Sequence, residues 1–475
     1  MSKSLKIITF AVGALIGLPI LAAIALFLFL NANIYKQRFE AAVSEALGMD
    51  VKVRGHLGVG FFPSLLVTLE DVHIRTRGTE IATAREARIG INFLTLFHRG
   101  VQIEEIALEH PSIYIERDQD GKFNFEESKE AAGTLPNLNL AKISLSDGTL
   151  RYVDEKSGEG FNAGGCSLDV RRLQLSGRER PGIMKNLSFA AELACREIRR
   201  KSYAASNFKF SVAGQRGAFD FDPVTMRVFA GQGSGSIRAD FTGAVPRYDV
   251  RYTLSRFHID AFLKNLSPQK IAEGSMDLSA NLTMQGKTMN ELRQTAAGQI
   301  SLGGKNLTLN GRDLDLEFDR YESSQHFNLV DVGAYFLLGP FGLIATKGYN
   351  FARIYQGSGG HSEIRRLVSD WKVNRGVAQA QDVAMATNKN RVALHGGLDF
   401  VNGRFDNVTL ALIDAKGCAK VQQKIRGTFQ KPVVEEPSSI KSIAGPVRKL
   451  FKQVRNLFPG GECEVFYAGS VVSPK

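Results

Sequence analysis

The sequence has few of the residues and motifs from which metal sites and nucleophilic active sites are usually built. Its 475 residues include only four cysteines and eight histidines. It contains no CxxC pair and no HExxH segment, which excludes the common zinc-ligand spacings. It also lacks a GxxxxGK[ST] loop and a GxGxxG segment that opens a helix, so nucleotide binding has no motif in its support. The sequence therefore predicts no cofactor and no metal site.

Catalytic groupings are equally scarce. His395-Gly396-Gly397 resembles an oxyanion-hole tripeptide, but it lies between two strand-like runs and no G-x-S-x-G elbow accompanies it. Asp313, Asp315 and Glu317 alternate along a predicted strand, without the spacing of an EF-hand calcium loop. We therefore expect no catalytic residues and no enzymatic activity.

The basic residues of the chain are dispersed along it. Sixty Lys and Arg residues against 48 Asp and Glu residues give a formal net charge of +12. They are scattered through strand-like segments, and no nucleic-acid-binding motif accompanies them. This pattern argues against a nucleic-acid partner and favours a solvated basic surface near anionic lipid headgroups.

Charged residues are missing altogether between Ile7 and Leu30. A helix of this length would span about 36 Å at ~1.5 Å per residue, enough to cross the hydrocarbon of a bilayer. A cleaved signal peptide is the alternative, although its apolar core would be shorter. Lys3 and Lys6 precede the run and predict a cytoplasmic N-terminus. We therefore expect a single-pass anchor in a bacterial inner membrane through residues 7–30, with the body of the chain in the periplasm.

The even number of cysteines permits disulfide bonds in an oxidising compartment. A Cys418–Cys463 bridge is the preferred pairing, because it would close the C-terminal segment back onto the sheet. Cys166–Cys195 is a second candidate pair. Four buried thiols remain the alternative, since the compartment is itself inferred.

Most of the chain after residue 50 alternates apolar and polar residues with the period of a β-strand. Met276–Met284 and Leu314–Phe318 are clear examples, and Gly, Asn and Asp punctuate such runs at intervals of roughly 10 residues. A phase shift at Glu104-Glu105 predicts a bulge, and Asp120-Gly121 predicts a turn. One-sided alternation predicts strands with one apolar face and one face that accepts water.

A few segments follow the period of a helix instead. The spacing predicts helices over residues 32–47, 259–266, 288–297, 327–338 and 439–458. The last of these carries apolar residues on one side and Lys or Arg at other positions, which is typical of a basic amphipathic helix. Two interpretations remain open for it: a helix packed across the end of the sheet, or a helix at a membrane surface.

An ordered set of motifs resembles the AsmA family of membrane-anchored periplasmic proteins. The first block is LGMDVKVRGHLGVGFFPSLLVTLEDVHI, followed by AREARIGINFLTLFHRGVQIEEIALEHPSIYIERDQDGKFNF. Position 125 is Phe where the family often has Trp, which keeps an aromatic residue there. Matching positions also occur at Gly298, Gly311, Asp313 and Leu314, and in the segments GCAKVQQKIRGTFQKP and CEVFYAGSVV. In the first block the matching positions are Gly48, Val51, Val53, Gly55, Pro63, Leu69, Asp71, Val72, Leu96, Ile103, Ile106, Leu108, Pro111, Ile115, Asp120, Gly121 and Asn124.

The resemblance implies a fold similar to bridge-like lipid transfer proteins. We expect a mainly β protein with a few helices, in which an N-terminal transmembrane helix precedes a long curled antiparallel β-sheet that forms an open apolar groove. The expected regions are the anchor (1–31), an N-terminal groove region (32–150), a middle sheet (151–286) and an AsmA-like C-terminal region (287–475). A closed β core, in which the same stripes pack against each other, is the alternative.

The expected function is to bind or conduct phospholipid in this groove during outer-membrane biogenesis. The alternative is an assembly factor or scaffold for outer-membrane proteins, which would use a sheet edge or other protein contacts. An enzyme acting on envelope polymers has no motif in its support. Membrane lipids are the expected partners, with other envelope proteins as further candidates. The lipid-groove candidates are Val67, Leu69, Ile103, Leu108, Ile113, Ile115, Val250, Tyr252, Leu278 and Leu282.

Overall fold

The computed structural model describes residues 36–60, 65–76, 78–92, 103–125, 138–175, 183–264, 270–324, 359–436, 438–439 and 463–474. Within these ranges the protein is mainly β with a few short helices, as the sequence predicts. The chain divides into two compact units, unit 1 (Met1–Phe219) and unit 2 (Asp220–Lys475). The division falls inside the region 151–286 that the sequence analysis assigned to a middle sheet.

The two units contain the following elements. Unit 1 has α1 (Lys36–Leu47), β1 (Asp50–Val53), β2 (Leu57–Gly60), β3 (Leu65–Thr76), β4 (Thr79–Ile91), β5 (Ile103–Glu109), β6 (Ser112–Arg117), β7 (Leu138–Asp154), β8 (Glu159–Leu175), the 3-10 helix η1 (Ile183–Asn186), β9 (Leu187–Arg200) and β10 (Tyr203–Gln215). The division between the units lies within β11 (Ala218–Val228). Unit 2 has β12 (Gly231–Asp240), β13 (Arg247–His258), α2 (Ile259–Leu263), β14 (Ala272–Glu273), β15 (Ser275–Gln285), α3 (Met289–Thr295), β16 (Ala297–Asn310), α4 (Leu314–Ser324), β17 (His361–Asn374), β18 (Val377–Ala386), β19 (Arg391–Asp399), β20 (Arg404–Ile413), β21 (Ala419–Gly427), β22 (Pro432–Val434) and β23 (Ser438–Ser439).

Helix α1 lies within the predicted helical segment 32–47 and packs on the first strands of unit 1. Its Phe39 and Val43, one turn apart, contact the buried cluster around Val51 and Val53. The helix also occupies the outer edge of β1. The backbone N–H of Val51 donates to Ser44 Oγ (2.9 Å), and that of Val53 donates to Glu40 Oε1 (2.8 Å). The helix therefore satisfies backbone donors that an edge strand would otherwise leave open.

The two irregularities predicted in this part of the chain are both present. Gly90 pairs with Glu105 and Ile91 pairs with Ile103, so Glu104 is an extra residue in β5. After β6, the backbone N–H of Gly121 donates to the carbonyl of Asp118 (3.0 Å) and closes a turn. The bulge predicted from the phase shift and the turn predicted from the Asp-Gly pair are therefore both confirmed.

The sheet of unit 1 is antiparallel except at β7, which corrects the expectation of a wholly antiparallel sheet. β5 and β6 act as one interrupted strand, and both run parallel to β7. The interruption lies at Pro111, which has no amide hydrogen to donate to a ladder. A parallel pair needs a long connection, and residues 118–137 provide one between β6 and β7.

A disulfide joins neighbouring strands in unit 1. Cys166 of β8 and Cys195 of β9 are directly opposed in the ladder, and their Cα atoms are 4.0 Å apart. Both side chains are buried together with Ala163. This bond ties the two strands at mid-length.

Unit 2 is an antiparallel ladder that runs from β12 through β13, β15, β16, β17, β18, β19 and β20 to β21. Two predicted helices are confirmed here. The α2 helix ends at Leu263, earlier than expected, and α3 begins after Thr288, whose side chain accepts the N–H of Glu291 (3.2 Å). The glycine-rich segment that begins at Gly231 forms strand β12.

The prediction of a strand over Leu314–Phe318 is wrong, because these residues begin helix α4. The Asp313 carboxylate accepts the N–H of Leu316 (3.0 Å), as a helix-capping residue does. Leu314 and Phe318 are four residues apart, so they share one helix face and both are buried, while Leu316 is 45 % exposed. Over five residues this pattern cannot be distinguished from strand alternation.

The strands β17–β21 are closed on both faces. One face belongs to a large buried cluster in which Trp371, Leu398 and Leu410 are at most 1 % exposed. The other face carries small residues, such as Ala384, Ala393 and Ala411, and these are also buried. This part of unit 2 is a closed core, which was the alternative to an open groove.

The second face of β17–β21 is covered by residues 463–474, which we call the C-terminal strap. A disulfide between Cys418 and Cys463 holds its first residue. Farther along, Tyr467 and Val471 are buried against the alanine-rich face. The strap therefore covers the alanine-rich part of this face.

Polar contacts hold the C-terminal strap in register. Arg391, which is 7 % exposed, donates to the carbonyl oxygens of Val471 (2.8 Å) and Asp414 (2.7 Å). The Tyr467 hydroxyl donates to Asp382, which also accepts the backbone N–H of Ser470 (2.9 Å). Removing the Asp382 carboxylate would leave the part-buried Tyr467 hydroxyl without its acceptor.

Three predicted helical segments lie outside the described residues: the apolar run 7–30, residues 327–338 and residues 440–458. Ser439, at the start of the predicted basic helix, belongs to β23. None of the helices among the described ranges has the length and apolar character needed to span a bilayer.

Opposite stability effects are expected at the facing pair Asp370 and Asp382 of β17 and β18. Burial raises the pKa of Asp370, and the Asp382 charge adds to the rise. Burial also opposes ionisation of Asp382, but hydrogen bonds from Ser470 and Tyr467 outweigh it and lower the pKa of that carboxyl. At a pH above the unfolded-state pKa, ionised Asp370 therefore destabilises the folded protein, whereas ionised Asp382 stabilises it. The stabilisation by Asp382 is lost as the pH falls through its folded-state pKa.

At neutral pH, Asp370→Asn should raise the free energy of unfolding, and Asp382→Asn should lower it by about 1–3 kcal/mol. Urea denaturation at neutral pH and below the carboxyl pKa range measures both. Because the wild-type carboxyls are neutral in acid, the two differences should shrink there. Changes of the same sign at neutral pH would contradict the assignment.

Candidate functional site

The strand register of unit 1 places apolar residues in continuous rows across eight strands. In each row every residue pairs with the next one in the neighbouring strand. The first row is Val59, Val67, Ile89, Ile106, Ile143, Val170, Ala191 and Val212. The second row is Leu57, Leu69, Ala87, Leu108, Leu145, Leu168, Leu193 and Phe210. The third row is Val51, Ile74, Ala82, Ile113, Leu150, Ala163, Ile198 and Ala205. We call these rows the apolar face of unit 1.

The residues between the first two rows point to the opposite side of the sheet, because side chains alternate along a strand. Apart from Gly58 and Ala107, all members of this intermediate row are polar. They are Thr68, Arg88, Ser144, Asp169, Glu192 and Ser211. Ion pairs also lie on this polar face. Arg85 contacts Glu109 at 2.6 Å, and Arg196 contacts Asp147 at 3.2 Å. The sheet of unit 1 therefore has two chemically distinct faces.

Burial of the apolar face of unit 1 changes from strand to strand. Near α1 several side chains are buried, such as Leu57 and Leu69 at 4 % exposure, while Val59 and Val67 are half-buried. From β5 onward the second row is half-buried throughout, as at Leu108, Leu168 and Leu193, and in the other two rows only Ala163, Ala191 and Val212 are buried. At the start of β5, Ile103 is 37 % exposed. Apolar area thus stays accessible on β5 to β10.

Unit 2 repeats the arrangement with its own rows. One row is Ile237, Val250, Leu282, Gly298, Val373, Ala378, Leu398 and Phe405. A neighbouring row begins Gly235, Tyr252, Ala280, Ile300 and Trp371. The row between them, on the other face, is Ser236, Arg251, Asn281, Gln299, Lys372 and Gln379. We call the first two rows the apolar face of unit 2.

Burial along the apolar face of unit 2 changes in the same gradual way. The members on β17 to β20 lie in the closed core, whereas Val250, Tyr252, Leu278 and Leu282 are half-buried. The ring of Tyr252 lies on β12, where a side chain at Gly233 would overlap its hydroxyl. That hydroxyl is buried and has no hydrogen-bond partner among the described residues. Burial raises the pKa of Tyr252, so the group stays neutral.

Seven of the ten candidates from the sequence belong to these rows, four in unit 1 and three in unit 2. The other three extend the same apolar faces beside the rows, Ile103 and Ile115 in unit 1 and Leu278 in unit 2. Their surroundings differ. Leu69 is covered beneath α1, Ile103 is exposed, and the other eight are half-buried. The structure brings the members of each unit onto one surface, and their role in lipid binding stays a prediction.

Sequence reasoning missed much of the apolar face of unit 1. The omitted members include Ile143, Leu145, Leu193 and Phe210, which complete the rows across β7, β9 and β10. Each lies in a run with a visible alternation. The missing information was the register between strands, which no single run contains.

Other candidate sites from the sequence do not assemble. Asp313 caps α4, Asp315 accepts the amide of Asn390 (2.8 Å), and Glu317 pairs with Arg312 (3.5 Å). The sequence pattern had predicted that these three residues share one strand face, and this prediction is wrong. Across the described part of the chain, no three His, Cys, Asp or Glu side chains group as metal ligands. His395 lies in β19, and its ring stacks on Phe466 with centroids 4.3 Å apart.

Part of the chain matches the model of a known protein family. The model of the AsmA family matches residues 1–179, which include α1 and β1 to β8. This match supports an AsmA-family assignment. No curated protein and no solved structure matches it. The AsmA region thus contains most of the strands that form the apolar face of unit 1.

Leu168→Ala and Leu410→Ala form a matched pair that tests how open the apolar faces are. Leu410 is fully buried in the closed core, so its truncation should lower the free energy of unfolding by about 3 kcal/mol. Leu168 is half-buried, and its truncation should cost about 1 kcal/mol, because less area leaves contact with protein. Urea denaturation, with each unit's transition followed separately, measures both. Equal losses would show that unit 1 is as closed as β17–β21.

Proposed function

We propose that this protein binds phospholipid by its acyl chains on the apolar faces of its two units. The observation that supports this is the set of eight-strand apolar rows of unit 1, in which most members from β5 to β10 are half-buried and only Ala163, Ala191 and Val212 are buried. A monomeric soluble domain rarely leaves such a continuous apolar surface without a ligand or partner. Residues with this chemistry require neither a metal nor a nucleophile to act.

Acyl chains fit the dimensions and the chemistry of these rows. From β5 or β6 to β10 each row crosses five strands, which at a spacing of ~4.8 Å gives an accessible length of roughly 19 Å. A single acyl chain covers about half of the ~30 Å hydrocarbon core of a bilayer, so one row is longer than one chain. Each methylene kept from water is worth ~0.8 kcal/mol, which makes unaided passage of a two-tailed lipid through water very slow.

The proposed location follows from the sequence and the family. The uncharged run 7–30 would anchor the chain in a bacterial inner membrane, with a cytoplasmic N-terminus and both units in the periplasm. The AsmA match over residues 1–179 supports an envelope role, and phospholipid handling during outer-membrane biogenesis is the specific role that we propose. Other envelope proteins are further proposed partners.

The alternative of an assembly factor that pairs through a sheet edge has less support. In unit 1, α1 occupies the edge of β1 through Glu40 and Ser44. In unit 2, β22 and β23 pair with the outer edge of β21. Because these edges already have partners, β-augmentation would first have to displace them. We also propose that the protein acts without catalysis.

Photo-cross-linking at neighbouring positions tests lipid binding. A photoreactive amino acid replacing Tyr252 or Leu278 should form phospholipid adducts in cells, because both lie on the apolar face of unit 2. The matched controls are Arg251 and Asn281, which occupy the same strands but face the other way. Mass spectrometry of the purified adducts identifies the lipid.

Two outcomes would contradict the proposal. Adducts absent at both apolar positions, and also at Leu168 in unit 1, would argue against lipid binding. Equal adduct yields at Arg251 and Tyr252 would show that the lipid merely surrounds the protein.

A further inference from the structure

One end of the unit 2 ladder forms a continuous border of turns, which we call the turn rim. It consists of residues 241–246, 286–296, 374–377, 399–404 and 427–433. These segments connect β12 to β13, β15 to β16, β17 to β18, β19 to β20 and β21 to β22. In an antiparallel ladder such alternate connections all lie at the same end of the strands.

Hydrogen bonds show that the segments of the turn rim touch in sequence. Gly286 N–H donates to the carbonyl of Pro246 (3.0 Å), and Gly376 N–H donates to that of Ala296 (3.0 Å). Phe400 N–H then donates to Gly376 (3.1 Å). At the far end, the N–H of Phe429 donates to the carbonyl of Gly403 (2.8 Å). The rim is therefore one surface and not a set of separate loops.

Exposed apolar side chains are concentrated on the turn rim. Val245 is 45 % exposed, Met289 68 %, Val401 38 % and Val433 59 %. These are four of the seven large apolar side chains that unit 2 exposes among the described residues. Each lies on a different turn segment and is not part of a packed patch. Single apolar side chains on successive turns suit insertion into a bilayer interface better than a packed protein interface.

The charge of the turn rim favours an anionic surface. Its five segments contain five basic and two acidic residues. Both acids are engaged within the rim: Glu291 accepts the N–H of Lys287 (2.7 Å), and Asp399 pairs with Arg404 (3.1 Å). Four cations are exposed and have no acidic partner in the described part of the chain; they are Lys287, Arg293, Arg375 and Lys431.

We propose that the turn rim docks unit 2 on the surface of an anionic phospholipid bilayer. The four apolar side chains enter the headgroup region, and the four free cations contact lipid phosphates. This proposal rests on the proposed lipid function in one respect, because it names a bilayer as the surface at which unit 2 would work. Its residues are separate from the acyl-binding rows.

Vesicle capture by the full chain tests the proposal. The protein is held in phosphatidylcholine nanodiscs and mixed with phosphatidylcholine vesicles that contain or lack phosphatidylglycerol, and co-flotation measures binding. The charge variant combines Lys287→Gln, Arg293→Gln, Arg375→Gln and Lys431→Gln. The apolar variant combines Val245→Ser, Met289→Ser, Val401→Ser and Val433→Ser. The matched control combines Lys305→Gln, Lys389→Gln, Lys416→Gln and Lys424→Gln, which removes the same charge from exposed positions outside the rim.

The wild-type protein should capture the anionic vesicles preferentially, and added salt should weaken the capture. Each rim variant should lower capture at least about tenfold, whereas the matched control should stay within about twofold of the wild type. Thermal melting followed by circular dichroism confirms that each variant folds.

Several results would overturn the proposal. Rim variants that bind like the wild type would exclude docking by the rim, and a matched control that falls equally would show a mere net-charge effect. A rim that fails to bind vesicles but binds an envelope protein would assign the surface to that protein instead. Lipid adducts at Tyr252 report on acyl binding independently, so vesicle capture can fail while the proposed function holds.

Discussion

The apolar face of unit 1 depends on one constraint, an extra residue inserted at the same height in successive strands. The second and third apolar rows are five residues apart in every strand they share, as with Leu145 and Leu150 in β7. An odd spacing in a regular strand would place the two rows on opposite faces. Residues with positive φ at Asp71, Asp147 and Asn207 lie between the rows and restore the phase. Without this shared irregularity, the third row would lie on the opposite face of the sheet from the first two.

The two units show that one sequence pattern can produce either an accessible face or a closed core. Alternation is equally clear in β8 and in β20, yet Leu168 is half-buried and Leu410 is fully buried. The difference comes from what covers the sheet. In β17–β21, the large cluster closes one face and the C-terminal strap closes the other. Alanines such as Ala393 and Ala411 allow the strap to approach closely, and they carry no signal of this role in the sequence.

Local features of this fold could be predicted from the sequence, and non-local ones could not. Helix α3 has a capping residue at Thr288, and the bulge at Glu104 shows as a change of phase, so both were accessible to inspection. Helix α4 was missed because two buried residues four apart imitate a short strand. The parallel pairing of β5 and β6 with β7 depends on a long connection whose path the residues do not specify. The candidate residues were found singly, but the rows that unite them require the pairing register.

The backbone edges of these sheets already have hydrogen-bonding partners, whereas their apolar side chains are only partly covered. At β1 and β21 the outer strand edges already have hydrogen-bonding partners, so the sheet needs no further strand there. Its unsatisfied feature is apolar area on one face, which gains free energy when covered in proportion to the area removed from water. A ligand that offers methylene groups and makes no hydrogen bonds meets this demand, and a peptide strand does not. The chemistry of the surface therefore favours an acyl chain, whatever the identity of the headgroup.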